Sequence, residues 1–93
     1  MEVKHEKKSN KGVFYIEENG QRIANLVYFS ENEGQFTIEH TVVAPGNEGK
    51  GLGKLLVNAA VAFARENSLK IVPQCPYARK VLEGSDTYKD VLA

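Results

Sequence analysis

Tryptophan is absent from these 93 residues, methionine and cysteine occur once each, and proline occurs three times. A lone cysteine excludes an intrachain disulfide. Two histidines, His5 and His40, and that one cysteine have no metal-ligand spacing, so no zinc site is expected. An excess of either charge is also lacking: Lys+Arg and Asp+Glu number 12 each. A general nucleic-acid binder usually carries a basic surplus, and none is expected here. No apolar run approaches the ~20 residues of a membrane-crossing helix. Met1 to Lys11 is charged and polar, which does not read as a signal peptide. The expectation is a cytoplasmic protein with neither a membrane nor a nucleic-acid partner. Internal repeats and low-complexity segments are missing as well.

What is present suits a globular domain. Hydrophobic residues make up 42% and charged residues 26%, an ordinary soluble balance. A chain of this size buries roughly 60–65% of its unfolded surface, enough for one modest core. A single domain over residues 1–93 is expected.

The most informative stretch is Asn47-Glu48-Gly49-Lys50-Gly51-Leu52-Gly53-Lys54. Its three alternating glycines lie between a strand-like run and an amphipathic helix. Glycine allows positive φ and close approach of a ligand to the backbone. The first helical turn adds free N–H donors and the positive end of the helix dipole. The combination suits a phosphate. A Walker A loop would need glycine at Glu48 and Ser or Thr at Leu55, and the sequence supplies neither. A Rossmann loop fails too: from Gly49 its last glycine falls on Lys54, and from Gly51 on Leu56.

The flanking pattern predicts an α+β order, β-β-β-loop-α-β-α. Val13 to Ile16 reads as a strand, Asn19-Gly20 as a hairpin turn, and Ile23 to Phe29 as the return strand. Ser30 to Gly34 turns the chain into a third strand, Gln35 to Val43, broken by Ala44-Pro45-Gly46. Strict alternation puts Ile38, His40 and Val42 on one face of that strand, with Thr37, Glu39, Thr41 and Val43 on the other. A helix follows from about Gly51 to Glu66, with Leu52, Leu55, Leu56, Ala59, Ala60 and Phe63 as its core stripe. Asn67 is expected to end it in the left-handed conformation. Leu69 to Val72 reads as a short strand, and Pro76 to Glu83 as a short helix burying Ala78, Val81 and Leu82. Residues before Lys11 are expected to be solvated or frayed. The tail, with Tyr88, Val91 and Leu92, is too apolar for a free end.

Cys75 lies in Pro73-Gln74-Cys75-Pro76-Tyr77, at the start of the second helix. Free amides and the helix dipole favour a thiolate there, and a thiolate is a nucleophile at neutral pH. The plainer fate of a lone cysteine is a small buried hydrophobe. His40 would serve as a base only within hydrogen-bond reach of its partner, and a single strand histidine is more often structural. For Tyr77, core packing competes with proton donation to a leaving thiolate. Lys50 and Lys54 flank the loop and suit phosphates, or simply water.

Two sets of residues carry a family resemblance. The stretch from Val42 to Leu56 resembles motif A of the GNAT N-acetyltransferase superfamily, [QR]-x-x-G-x-[GA]. Glu48-x-x-Gly51-x-Gly53 matches both glycine positions and departs at Glu48. Adding His40-Thr41-Val42-Val43, the Cys75 segment and Tyr88-Lys89-Asp90-Val91-Leu92, nearly the whole chain is similar to the YjdJ-type subfamily of minimal GNAT proteins. The resemblance implies a mixed sheet without the superfamily's usual first two helices: an antiparallel meander, a central helix, one further strand and a short helix. It implies acetyl-CoA, or coenzyme A, as the bound donor and an amine as acceptor. Glu48, Gly49, Lys50, Gly51, Leu52, Gly53 and Lys54 would hold the pyrophosphate, and the Val42–Val43 edge the pantetheine arm. Cys75 would be the catalytic residue, with His40 as its candidate helper. A coenzyme A-binding module without turnover is the alternative, and a general nucleotide-phosphate binder a weaker one.

Overall fold

A computed structural model describes all residues, Met1–Ala93. Five strands form one sheet in sequence order: β1 (Lys4–Lys8), β2 (Lys11–Glu18), β3 (Gln21–Asn32), β4 (Gln35–Val43) and β5 (Lys70–Pro73). The first four run antiparallel, and β5 lies parallel to β4. Helix α1 (Leu52–Glu66) makes the crossover that parallel pairing requires. Helix α2 (Pro76–Glu83) and a 3-10 turn (Asp86–Tyr88) follow.

One continuous apolar core joins the sheet to both helices. Phe14, Leu26, Tyr28, Phe36 and Ile38 face Leu56, Ala60 and Ala64 of α1, and Ala78 and Leu82 of α2. The other face of the sheet carries no helix. There, Tyr15 is covered by the Arg22 guanidinium, 3.8 Å above its ring centroid, and donates a hydrogen bond to Glu6.

Four local readings change. The N-terminal stretch is strand β1, paired with β2 from Lys4↔Tyr15 to Lys8↔Lys11. The buried stripe of α1 is Leu52, Gly53, Leu56, Val57, Ala60, Val61 and Ala64, while Leu55 is exposed and Ala59 and Phe63 are half-buried. The left-handed residue after α1 is Ser68, with Asn67 at φ −110°. The fourth change matters for function. Val27 pairs with His40 but Tyr28 with Ile38, so Glu39 is the extra residue of a β-bulge. A bulge resets the period-2 alternation. Thr41 and Val43 therefore share the core-side face with Ile38, opposite the buried Leu26 and Ala24. His40 and Val42 turn to the helix-free face and are exposed.

The tail docks as its apolar residues require. Val91 is buried, and the carbonyl of Val91 accepts a bond from the Ile71 amide at 2.6 Å. Arg65 fastens the same segment through Asp90 and the Thr87 carbonyl.

Candidate functional site

Strands β4 and β5 pair only from Gln35↔Lys70 to Ile38↔Pro73. The Cys75 amide still reaches the Ile38 carbonyl at 3.1 Å, and past that point the two segments diverge. From Glu39 to Val43 one edge of β4 is left without a strand partner. The glycine loop and the start of α1 close one end of this opening, and α2 closes its side.

A cavity of about 280 Å³ fills the opening. Strand β4 contributes Thr41 and Val43, and the loop contributes Asn47, Glu48, Gly49 and Gly51. The first turn of α1 contributes Leu52 and Gly53, and α2 contributes Tyr77. The helical bond from the Leu55 amide to the Gly51 carbonyl is the first of α1. The amides of Leu52, Gly53 and Lys54 therefore have no helical acceptor. Gly51 caps the helix at φ 76°, a left-handed conformation that disfavours other residues. Such a cradle of unpaired amides and a dipole end fits a pyrophosphate.

Glu48 lines the cavity with its carboxylate tied at one oxygen. Its Oε1 accepts a bond from the Gly46 amide at 2.8 Å, which folds the side chain back onto the loop. Lys50 is exposed, lies outside the cavity lining and donates to Asn47 Oδ1 at 3.0 Å. Gly53 leaves room for the Tyr77 ring: a Cβ there would lie 2.9 Å from Tyr77 Cε2 and Cζ and push the ring aside. The Tyr77 ring, 40% exposed, is thus the wall of the cavity.

Cys75 does not line the cavity itself: it is 5% exposed and is the N-cap of α2, and it reaches the lining through Thr41. Its thiol donates to Thr41 Oγ1 at 3.7 Å. Burial by itself pushes the thiol pKa up. The Ala78 amide, the Thr41 hydroxyl and the backbones of Tyr77 and Thr41 stabilise the thiolate and prevail, so the pKa lies below its ordinary value. Tyr77 is shifted the other way, first by burial and then by the charge on Cys75.

Of the residues singled out from the sequence, Val43, Glu48, Gly49, Gly51, Leu52 and Gly53 line the cavity. Lys54 stands at a neighbouring hollow, and Val42 offers only its backbone edge. His40 is not brought to Cys75, because the bulge turns it to the far face of the sheet. Thr41 takes the place beside the thiol. Among His, Cys, Asp and Glu, no group of three could hold a metal ion.

A family model described as GCN5-related N-acetyl-transferase matches residues 13–91. The chain belongs to that family. The solution structure of a GCN5-like N-acetyltransferase candidate from Staphylococcus aureus is 38% identical, with a TM-score of 0.75 over 99% of this chain and 87% of that one. The ribosomal-protein-alanine N-acetyltransferase of Brucella melitensis biovar Abortus is 20% identical, with a TM-score of 0.67 over 81% of this chain and 59% of that one. A GNAT family acetyltransferase from Elizabethkingia anophelis, solved with acetyl-CoA bound, is 18% identical, with a TM-score of 0.61 over 69% and 42%. These last two likenesses show the fold alone, and the chain spans about half the length of those proteins. No curated protein matches. GCN5-related N-acetyl-transferases take their acetyl group from acetyl-CoA, and the α+β mixed sheet found here is the architecture of the family's solved structures. The protein is accordingly an acetyltransferase of this family, and none of its helices is long and apolar enough to cross a membrane.

Proposed function

We propose that this protein transfers the acetyl group of acetyl-CoA to an amine, with Cys75 at the reacting end of the cavity. The observation that carries the reading is the meeting of three features around one opening: the first turn of α1 with its unpaired amides, the free β4 edge, and Thr41, which lines the cavity and pairs with the buried Cys75. The loop from Glu48 to Lys54 holds the pyrophosphate through its backbone. The Val42–Val43 edge pairs with the pantetheine amides, as an added strand would. The Pro73–Tyr77 segment supports placing the protein in the YjdJ-type subfamily.

The thioester then lies near Cys75. In the covalent route, the thiolate of Cys75 attacks the acetyl carbonyl carbon. A C–S bond to Cys75 forms, the C–S bond to coenzyme A breaks, and the departing thiolate takes a proton from Tyr77 or water. The amine next attacks acetyl-Cys75, its C–N bond forms, and Cys75 leaves as the thiolate. The amine's surplus proton goes to water or back to Tyr77. In the direct route the amine attacks the acetyl carbonyl carbon of the donor, the C–N bond forms and the C–S bond to coenzyme A breaks. The amine's surplus proton passes to the departing thiolate through Tyr77 or water, and Cys75 only positions the thioester. His40 stands as a base for an amine arriving from the helix-free face.

Incubation with acetyl-CoA and a panel of amines, followed by coenzyme A thiol release and mass spectrometry, tests this. Acetylated amine with released coenzyme A is expected, and an acetyl adduct on Cys75 in the amine-free sample marks the covalent route. Binding of acetyl-CoA without transfer to any amine would instead favour a coenzyme A-binding module, a reading motivated by the helix-free face of the sheet.

A further inference from the structure

Tyr77 separates the loop cavity from a second hollow of about 440 Å³. Lys54 of α1 and Lys80 of α2 stand on either side of it, with Val81, Ser85 and Thr87 completing the lining used here. No carboxylate lines it. The ion pairs of the molecule engage Lys4, Arg22, Arg65 and Lys89, which leaves Lys54 and Lys80 without an acidic partner. Both residues are exposed and both line the hollow. Two unneutralised cations around one concave surface raise the local potential and draw an anion, most strongly a doubly charged one. The other lysine-lined hollow, at Lys7, Lys8 and Lys11, differs in two ways. It contains Glu6, and it shares no residue with the loop cavity.

The donor of this family carries a matching group. Beyond its pyrophosphate, coenzyme A bears a ribose 3′-phosphate, a monoester with about two negative charges at neutral pH. The pyrophosphate is served by neutral amides at the loop, whereas an exposed monoester gains most from ammonium groups. We propose that Lys54 and Lys80 form a pocket for the 3′-phosphate and make the protein select acetyl-CoA over its 3′-dephospho form. This rests on the donor site proposed above.

Calorimetric titration of the whole chain with acetyl-CoA and with acetyl-3′-dephospho-CoA tests it. At low salt the native protein is expected to bind acetyl-CoA about tenfold more tightly. The preference falls to about threefold in Lys54→Gln and in Lys80→Gln, and vanishes in the double variant. It also shrinks as salt rises, as an exposed charge contact must. Equal affinity of the native protein for both donors overturns the pocket and leaves the proposed function standing. A tenfold preference that survives both substitutions also overturns it. Binding of neither donor overturns the pocket and the donor site together.

Discussion

Cys75 is a thiol under opposed influences. Burial raises its pKa, and hydrogen bonds from Ala78, Thr41 and Tyr77 lower it further than burial raises it. Alkylation by iodoacetamide as a function of pH is expected to show a midpoint below that of an ordinary cysteine. Thr41→Val removes the hydroxyl but keeps the shape, so its midpoint moves upward; an unmoved midpoint would remove Thr41 from the account. Gly53 gives a second residue-scale test in which two effects compete. Alanine is favoured over glycine in a helix by about 1 kcal/mol. Yet its Cβ would meet the Tyr77 ring at 2.9 Å and displace the cavity wall. Gly53→Ala is expected to keep or raise the thermal midpoint while weakening acetyl-CoA binding about tenfold, or ~1.4 kcal/mol. Calorimetry and melting of the same sample separate the two effects. The position of the glycine loop before α1 and of Cys75 at the start of α2 was legible because residue type and spacing mark both. Thr41 was not, since the bulge at Glu39 leaves no mark in an alternating strand sequence and exchanges the roles of Thr41 and His40.

Strand β1 shows how an element can be missed from its composition. All five of its residues are exposed, so no buried stripe announces it. Besides the ladder, Lys4 and Glu6 bond to Glu17, Tyr15 and Arg22 on one face, and on the other the His5 ring stacks on Phe14 at 4.1 Å and meets the edge of Phe63 at 4.9 Å. Its Nε2 lies 2.6 Å from the hydroxyl of Tyr28, which is fully buried. Gly12 makes room for that tyrosine, because a Cβ there would collide with the Tyr28 ring. Burial, and then the charge of Lys7, lower the His5 pKa. The folded state therefore binds fewer protons than the unfolded state just below the unfolded histidine value of about 6.5. The stability that this gives is present above about pH 6.5 and is lost as pH falls through the lowered folded value. His5→Phe keeps the stacking but cannot titrate. Between about pH 7.5 and pH 5.5, its thermal midpoint is expected to fall less than that of the native protein; an equal fall would assign the loss to other groups. In α1 the element was legible, and so was most of its inner face: Leu52, Leu56 and Ala60 are buried and Ala59 and Phe63 pack against the core, so only Leu55 departs. Apolar residues occur nearly all round the helix, and the small Ala60 and Ala64 face the sheet while the larger Leu55 stays outside.

At the scale of the molecule, the parallel pairing of β5 with β4 generates the site. Four residue pairs hold the strands together, after which the chain must leave the sheet to begin α2 at Pro76. The divergence exposes a β4 edge, and the crossover through α1 returns the glycine loop to the same end of the sheet. From β2 onward the order of elements was readable because hydrophobic periodicity and turn residues mark each one. The width of the opening was not, because it depends on where pairing stops, a tertiary property. The long-range docking of the tail onto Ile71 was visible only as unexplained apolar residues. The claim that joins these scales is that one opening holds the donor with its thioester at Cys75. An amide NMR titration with coenzyme A and then acetyl-CoA tests it most directly. Shifts gathered at Thr41, Val43, Asn47 to Lys54 and Cys75 to Ala78 are predicted, with the Cys75 region changing further between the two ligands. Unchanged amides at millimolar ligand, or shifts confined to the helix-free face, would contradict it.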